Sequence, residues 1–239
     1  MKKLLILTIN DYKNIFRDPI LLFMIVMPLF MPIFGRFLIP FLFSFIPFLD
    51  FYKYTDLLTV FLISATPLLT GFVTGFTILD EIDDNTISYI SITPVKKTGY
   101  FFYKIFHLII LSFLYSIFTI LFLGYTSIPF VNIIFLSLII SLQAPLVALF
   151  LAVFSNNKVE GMVFAKGLGF FFLAPILEFF IDNPFTKLLF FVPFYWQMIM
   201  VKYIISKNNF YFFICFIIAL VIHLFYLFLF IKKFEKKAF

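Results

Sequence analysis

Long apolar stretches separated by short polar blocks make up most of this chain. The stretches are continuous rather than alternating, which predicts membrane-spanning helices and not the strands of a barrel. The last stretch, 210–231, would extend roughly 33 Å at about 1.5 Å per residue, enough to cross a bilayer core of about 30 Å. We therefore predict an all-α polytopic membrane protein with six transmembrane helices, near residues 19–42, 57–79, 100–124, 129–154, 162–181 and 210–231.

The first 18 residues follow a different pattern. Apolar Ile9, Tyr12 and Ile15 recur at helical spacing, and polar side chains occupy most of the opposite face. This pattern predicts an N-terminal amphipathic helix lying in the membrane interface. A cleavable signal peptide is rejected, because Asn10 and Asp11 interrupt the apolar stretch and no small-residue cleavage site follows.

Residues 182–209 are too interrupted for a simple span and too apolar for a solvated loop. Pro184 and Pro193 break the segment, and the pair Tyr195-Trp196 adds amphipathic rings. We predict short helices that lie in, or re-enter, the outer membrane interface.

Composition agrees with a membrane protein and excludes several other classes. Hydrophobic residues make up 64% of the chain and charged residues 13%, against about 45–50% and about 25% in soluble domains. The single cysteine, Cys215, excludes an intrachain disulfide and a cysteine-based metal cluster. The net charge of +6 does not indicate nucleic-acid binding, because the basic residues lie at the ends of apolar stretches.

The distribution of basic residues predicts the orientation of the chain in the cell membrane. Cytoplasmic loops carry an excess of lysine and arginine, so the richer side is the inner one. The pattern predicts a multi-pass protein with both termini in the cytoplasm. Thirteen basic residues fall on that side (Lys2, Lys3, Lys13, Arg17, Lys96, Lys97, Lys104, Lys158, Lys166, Lys232, Lys233, Lys236 and Lys237) and five on the other (Arg36, Lys53, Lys187, Lys202 and Lys207).

The chain lacks the sequence motifs of several enzyme classes. It has no G-x-x-x-x-G-K-[ST] loop for nucleotide phosphates, no H-E-x-x-H and no G-x-S-x-G. We therefore predict no catalytic site, metal or cofactor on this chain. His107 and His223 lie singly within apolar stretches, where a helix–helix hydrogen bond and a proton relay are the two interpretations.

The block 80–99 gathers four carboxylates on the predicted cytoplasmic side of an acid-poor chain. Two interpretations stay open on physical grounds. The block forms a short amphipathic helix with an acidic N-terminus, or it is a solvated loop.

Residues in this block also carry a family resemblance. The pattern Glu-x-x-x-x-Thr-Ile-x-x-x-x-x-Thr-Pro-Val, followed by a basic pair, resembles permeases of type-two ATP-binding-cassette exporters. The segments 155–161, 165–167 and 192–196 are similar to the fluoroquinolone-export subgroup. The chain departs from the pattern at Ile82, where a basic residue is common, and at Asn85, where glycine is common. Asparagine tolerates a left-handed backbone.

The resemblance implies a loop that docks on a separate ATP-binding-cassette ATPase, which would hold the ATP and magnesium. This chain would then be one permease domain, 1–239, working with a second copy or a paralogue. The coupling residues that the resemblance implies are Glu81, Asp83, Asp84, Asn85, Thr86, Ile87, Ile90 and Pro94.

Small residues recur at a spacing of four in two places, Gly71 with Gly75, and Gly161 with Ala165 and Gly169. Such spacing lets helix backbones approach closely. The two interpretations are a seam between subunits or moving helices, and packing within one subunit. Gln143 and Glu178 are the polar groups predicted to face a transport pathway, with an interfacial position as the alternative for Glu178.

The sequence thus predicts a permease subunit of an ATP-driven exporter for a small hydrophobic or amphipathic compound (drug-like, peptide or lipid). A secondary transporter is an alternative, but it would need an internal repeat and mid-membrane carboxylates. A membrane scaffold or assembly protein is another, and it would need neither a docking loop nor a pathway.

Overall fold

The computed structural model describes residues 2–46, 50–86, 96–181 and 183–238. These ranges are mostly helical, with no strand among them. Short 3₁₀ segments cover Gly169–Phe172 and Pro184–Phe191. The α-helices are α1 (Lys2–Arg17), α2 (Pro19–Ser44), α3 (Phe51–Asp83), α4 (Lys96–Leu123), α5 (Phe130–Phe154), α6 (Lys158–Leu168), α7 (Leu173–Phe180), α8 (Tyr195–Ile205) and α9 (Asn209–Ala238).

Six of the described segments are long and apolar enough to cross a membrane. Five of them lie within single helices, namely α2, α3, α4, α5 and α9. The sixth, Lys158–Phe180, comprises α6, the first 3₁₀ turn and α7. The predicted all-α polytopic fold is confirmed.

The core of the bundle is formed by α3 and α5. Most residues in their most apolar stretches are buried, whereas the other four spans are largely exposed. Gly71 and Gly75 make the contact possible. A Cβ added at Gly71 would lie 2.6 Å from the Ala144 carbonyl oxygen, and one at Gly75 would lie 2.9 Å from Leu151 Cδ1. These two glycines therefore pack α3 against α5 within one subunit.

Asp18 and Asp50 begin the first two spans. Asp18 caps α2 by accepting from the Ile20 amide at 2.9 Å, and Pro19 takes the favoured first helical position. Asp50 caps α3 by accepting from the Tyr52 amide at 3.1 Å. The helix α3 extends past the predicted 57–79 at both ends, because hydropathy detects the apolar window and not the polar turns that continue the helix.

The segment after α7 is broken. The 3₁₀ segment and α8 meet at 119°, and α8 packs against α3, α5, α7 and α9. Gln197 on α8 is fully buried, and its Nε2 donates to Ser64 Oγ. The α8 part of this segment is therefore packed inside the bundle, and the predicted position at the outer membrane interface stays a prediction.

The helix α9 runs well beyond its apolar stretch and through most of the basic tail. Lys237 Nζ donates to the carbonyls of Ala152 at 3.0 Å and Val153 at 3.2 Å, and also to that of Ser155. These carbonyls are at the C-terminal end of α5, where a cation is favourable. The contact places the ends of α5 and α9 at the same end of the bundle.

Candidate functional site

A buried cluster of charged and polar groups joins α1, α3 and α4 at one end of the bundle. Lys104 Nζ lies 2.5 Å from Glu81 Oε1 and 3.9 Å from Asp11 Oδ1. The Tyr100 hydroxyl donates to the same Glu81 oxygen. Only 3% of the Lys104 side chain is exposed, so this charge depends on its carboxylate partners. Asp11, Glu81, Tyr100 and Lys104 are called the Glu81 cluster below.

The spacing along α4 explains how two groups reach one carboxylate. Tyr100 and Lys104 are four residues apart, so they project from the same helix face. Glu81 Oε2 is buried without a hydrogen-bond partner in the described part of the chain. Burial raises the pKa of Asp11 from 3.8 to about 6; Glu81 adds to the rise and Lys104 opposes it. The pKa of about 6 puts the change in charge of Asp11 well above the usual range of an aspartate.

A second ionic contact lies at the same end. Lys158 Nζ, at the start of α6, is 2.8 Å from Asp18 Oδ2 and 2.9 Å from Asp80 Oδ2. The Lys158 amide also donates to Asp83 Oδ2 at 3.2 Å. The hydrogen bond from Lys158 lowers the pKa of Asp18. This Lys158 cluster (Asp18, Asp80, Asp83 and Lys158) ties the junction of α1 and α2 to the ends of α3 and α6.

A polar recess of about 500 Å³ is lined by α1, the end of α3 and Tyr100. Asp84 and Thr86 line it and are exposed. Asn85, between them, has a φ of 56°, the left-handed backbone that asparagine tolerates. The other predicted coupling residues, Ile87, Ile90 and Pro94, lie outside the described residues.

The structure separates the predicted coupling acids into two groups. Glu81 is engaged inside the bundle by Tyr100 and Lys104, and Asp83 accepts from the Lys158 amide. Asp84 is exposed beside Asn85 and Thr86. Among the described residues of this block, positions 83–86 are exposed, while Glu81 is half-buried behind them and paired with Lys104.

Sequence reasoning counted Lys104 and Lys158 only as indicators of orientation. A usable signal existed for Lys104, which is isolated within the long apolar stretch of α4. An ionisable residue inside a membrane span is expensive, and it almost always pairs with another polar group. Asp11 and Asp18 had no comparable signal, because polar residues are ordinary in an interfacial helix.

The second set of small residues at a spacing of four, Gly161, Ala165 and Gly169, does not form one packing face. A Cβ at Gly161 would lie 2.5 Å from Leu79 Cδ1, so α6 packs closely on α3 there. Ala165 is half-buried against the same part of the core. A Cβ at Gly169 would meet nothing within 4 Å, at the point where the span changes to a 3₁₀ turn.

The two predicted pathway residues lie in different surroundings. Gln143 is fully buried, and its Nε2 donates to the Pro193 carbonyl at 3.4 Å. Glu178 lies at the far end of α7, where its Oε1 is 2.7 Å from Lys202 Nζ. Glu178 lines a cavity of about 710 Å³, called the Glu178 cavity below, at the end of the bundle opposite the Glu81 cluster.

Comparison with known proteins places these features in a family context. The family model described as "Fluoroquinolones export permease protein Rv2686c-like" matches residues 11–231. Two similar proteins, from the CDC 1551 and H37Rv strains of Mycobacterium tuberculosis, are each named as a fluoroquinolones export permease protein. Each is 25% identical over 198 residues, which cover 78% of this chain and 77% of the relative. No solved structure matches the chain.

Proposed function

This chain belongs to the Rv2686c-like family of fluoroquinolones export permeases, and on that premise we propose that it is the membrane subunit of an exporter driven by a separate ATPase. Its proposed cargo is a small amphipathic organic compound; both relatives are named for the export of fluoroquinolones. The ATP and magnesium belong to the partner ATPase, because this chain carries no phosphate-binding loop. A second copy or a paralogue completes the membrane pathway.

The observation that carries the proposal is the buried Glu81 cluster directly behind an exposed turn. Asp84 directly follows the last residue of α3, and Thr86 lies two residues further on. Glu81, in the last turn of α3, is paired with Lys104. A partner that displaces the turn would move α3 with it. Since α3 packs closely along α5, the displacement would pass into the core of the bundle.

We assign this end of the bundle to the cytoplasm. The larger share of basic residues supports this orientation. The contact of Lys237 with the Ser155 carbonyl supports it too, since it puts the end of α9 beside the block that precedes Lys158. The Asp84–Thr86 turn lies at that same end, because Lys158 also contacts Asp80.

The test measures two properties of variants at Asp84 and at Glu81: how much ATPase co-purifies with the chain, and how fast the complex transports its cargo. Tagged chain would be purified from native membranes with the ATP-binding-cassette ATPase that accompanies it. We expect Asp84→Arg to reduce ATPase capture at least tenfold, because it reverses charge on the exposed turn. We expect Glu81→Gln to leave capture intact and to slow transport, since Glu81 faces the bundle.

Glu235→Arg is the matched control, because it makes the same charge reversal on α9 at the same end of the bundle as Asp84. It should leave capture and transport unchanged. Normal capture and transport in both the Asp84 and Glu81 variants would contradict the proposal. ATP hydrolysis by the purified chain alone would contradict it as well.

A further inference from the structure

The polar recess beside α1 has exposed receiving groups, which sets it apart from the Glu178 cavity. The Glu178 side chain is only 11% exposed. In the recess, Lys13 and Arg17 on α1 and Asp84 just past the end of α3 are all exposed. The volume of about 500 Å³ falls within the range of small-molecule sites, about 300–1,000 Å³. A ligand can therefore reach these charges from outside the bundle.

Lys13 and Arg17 form a pair of cations on one wall of the recess. They are four residues apart, so they project from the same face of α1. Neither side chain forms an ion pair within the described ranges. Two neighbouring cations without a carboxylate partner suit a phosphate group, to which an arginine can donate two parallel hydrogen bonds.

Asp84 supplies the opposite charge at the same recess. The remaining carboxylates that line it belong to the Glu81 and Lys158 clusters, where lysines already neutralise part of their charge. Asp84 forms no ion pair in the described part of the chain. Two cations and one carboxylate are thus left for a ligand, which suits a phosphate with an ammonium group close to it.

The exposed apolar side chains of α1 indicate where such a ligand comes from. Phe16 is 63% exposed and Ile9 is 54% exposed. Ile15 is buried in the same core cluster as Leu21 of α2, so α1 is fixed against the bundle. A helix that exposes both cations and large apolar side chains suits the level at which phospholipid headgroups meet acyl chains. The phosphate present at that level is the phosphate of a lipid.

An apolar groove on α2 begins two residues after Arg17. It has a volume of about 550 Å³ and is lined from Pro19 to Phe34, with Phe23, Val26 and Phe30 among the residues between them. At about 1.5 Å per residue this length of helix extends about 22 Å, which is more than half of a hydrocarbon core of about 30 Å. The groove, called the α2 groove below, can therefore hold one acyl chain over the full depth of a leaflet.

We propose that this chain binds a molecule of phosphatidylethanolamine, with its phosphate at Lys13 and Arg17, its ammonium at Asp84 and one acyl chain in the α2 groove. The ammonium has N–H donors for the Asp84 carboxylate, whereas the trimethylated amine of phosphatidylcholine has none. Phosphatidylglycerol brings no cation to Asp84. A second copy of the chain would cover the groove but bring no phosphate to the two cations. The bound lipid is independent of the exported cargo and of the partner ATPase.

The test is lipid retention by the purified chain without any ATPase. The chain in detergent micelles would be mixed with equal amounts of isotope-labelled dioleoyl phosphatidylethanolamine, phosphatidylcholine and phosphatidylglycerol, and native mass spectrometry would count each bound lipid. We expect one phosphatidylethanolamine to be retained over each of the others by roughly three- to tenfold. Glycerophosphoethanolamine, the same headgroup without acyl chains, should not displace it at equal concentration, which separates a lipid from a free phosphate compound.

Substitutions at exposed positions separate the parts of the site. Arg17→Gln should weaken retention of phosphatidylethanolamine and phosphatidylcholine alike by about fivefold, because both lipids carry the phosphate. Asp84→Asn should reduce phosphatidylethanolamine to the level of phosphatidylcholine and leave phosphatidylcholine unchanged. Phe23→Ala should weaken retention of both, since it removes part of the groove wall. Lys53→Gln removes a charge from an exposed lysine at the other end of the bundle, so it should retain lipid like wild type.

Equal retention of phosphatidylethanolamine by wild type and Arg17→Gln would overturn the proposal, and so would a preference for this lipid that survives Asp84→Asn. Phosphatidylglycerol retained above phosphatidylethanolamine would overturn it too, and would assign the recess to an anionic lipid. If Phe23→Ala breaks up a dimer and leaves lipid retention unchanged, the α2 groove belongs to a second copy and the proposal is wrong. Failure here leaves the coupling proposal standing, because no ATPase takes part. Failure of ATPase capture would leave the lipid result standing.

Discussion

Two ion pairs of the same chemistry lie at opposite ends of this bundle, and they differ in burial. Lys104 and Glu81 are 2.5 Å apart with side chains 3% and 13% exposed. Lys202 and Glu178 are 2.7 Å apart with side chains 42% and 11% exposed. The first pair lies among three helices, and the second borders a cavity.

The difference in burial decides what each pair can do. A buried lysine has no water to replace its partner, so removing either member of the pair leaves an uncompensated charge. A half-exposed lysine is solvated in either case, and its pair contributes little to stability. The Lys104–Glu81 pair is therefore expected to hold helices together, whereas the Lys202–Glu178 pair is expected to contribute less to stability.

The largest expected effect is that of Lys104→Met. This change leaves the Glu81 carboxylate buried without its cation, which should lower the free energy of unfolding by about 3–5 kcal/mol. The measurement is unfolding of the purified chain in mixed micelles. The double variant Lys104→Met/Glu81→Gln should recover most of the loss, because it removes the orphaned charge.

Lys53→Met, on an exposed lysine in the first turn of α3, is the control for this prediction. It should change the free energy of unfolding by less than about 0.5 kcal/mol. If Lys104→Met unfolds like Lys53→Met, the Glu81 cluster does not hold the helices and the comparison between the two ends fails.

The next largest effect is the pH dependence of Asp11→Asn. The pKa of Asp11 rises from 3.8 to about 6 on folding, so between these values the folded protein holds a proton that the unfolded chain releases. Stability from this proton is present at low pH and is lost as pH rises through about 6. Relative to wild type, Asp11→Asn should therefore gain roughly 1–3 kcal/mol between pH 4 and pH 7.5.

Unfolding at the two pH values, with Asn14→Asp as a control at an exposed position on the same helix, checks this result. A difference between Asp11→Asn and wild type that does not change with pH would mean that folding does not shift the pKa of Asp11.

The smallest effect is expected for Glu178→Gln at the other end. This change leaves Lys202 without its carboxylate, but 42% of the Lys202 side chain is exposed and stays solvated, so the cost should be about 1 kcal/mol or less. The same micelle unfolding experiment measures it directly beside Lys104→Met. A cost equal to that of Lys104→Met would remove the distinction between the two ion pairs.

Hydropathy alone was enough to predict the six spans, because each is a long apolar run. It could not predict how α3 continues through Lys53 and Asp56, since helix propagation depends on backbone hydrogen bonds and capping by Asp50. It also could not predict the 3₁₀ turn at Gly169–Phe172. That turn separates Gly161, which packs on α3, from Gly169, which does not.

The candidate site was predicted less completely than the fold. The acidic block was visible in the sequence, and the left-handed backbone tolerance of Asn85 matches its φ of 56°. The partner of Glu81 was not visible, because Lys104 lies 23 positions further along on another helix. Which charges pair inside the bundle depends on how helices pack, and no local pattern encodes that.

Asp18 divides two tasks between the oxygens of one carboxylate. Oδ1 accepts from the Ile20 amide at 2.9 Å and so begins α2, while Oδ2 accepts from Lys158 at 2.8 Å. Asparagine or serine could cap the helix but not match the charge of the lysine, and glutamate is not among the favoured caps. Any substitution at position 18 therefore affects both the cap of α2 and the ion pair with Lys158. We therefore expect descendants of this sequence to retain aspartate there, or to exchange it only together with Lys158.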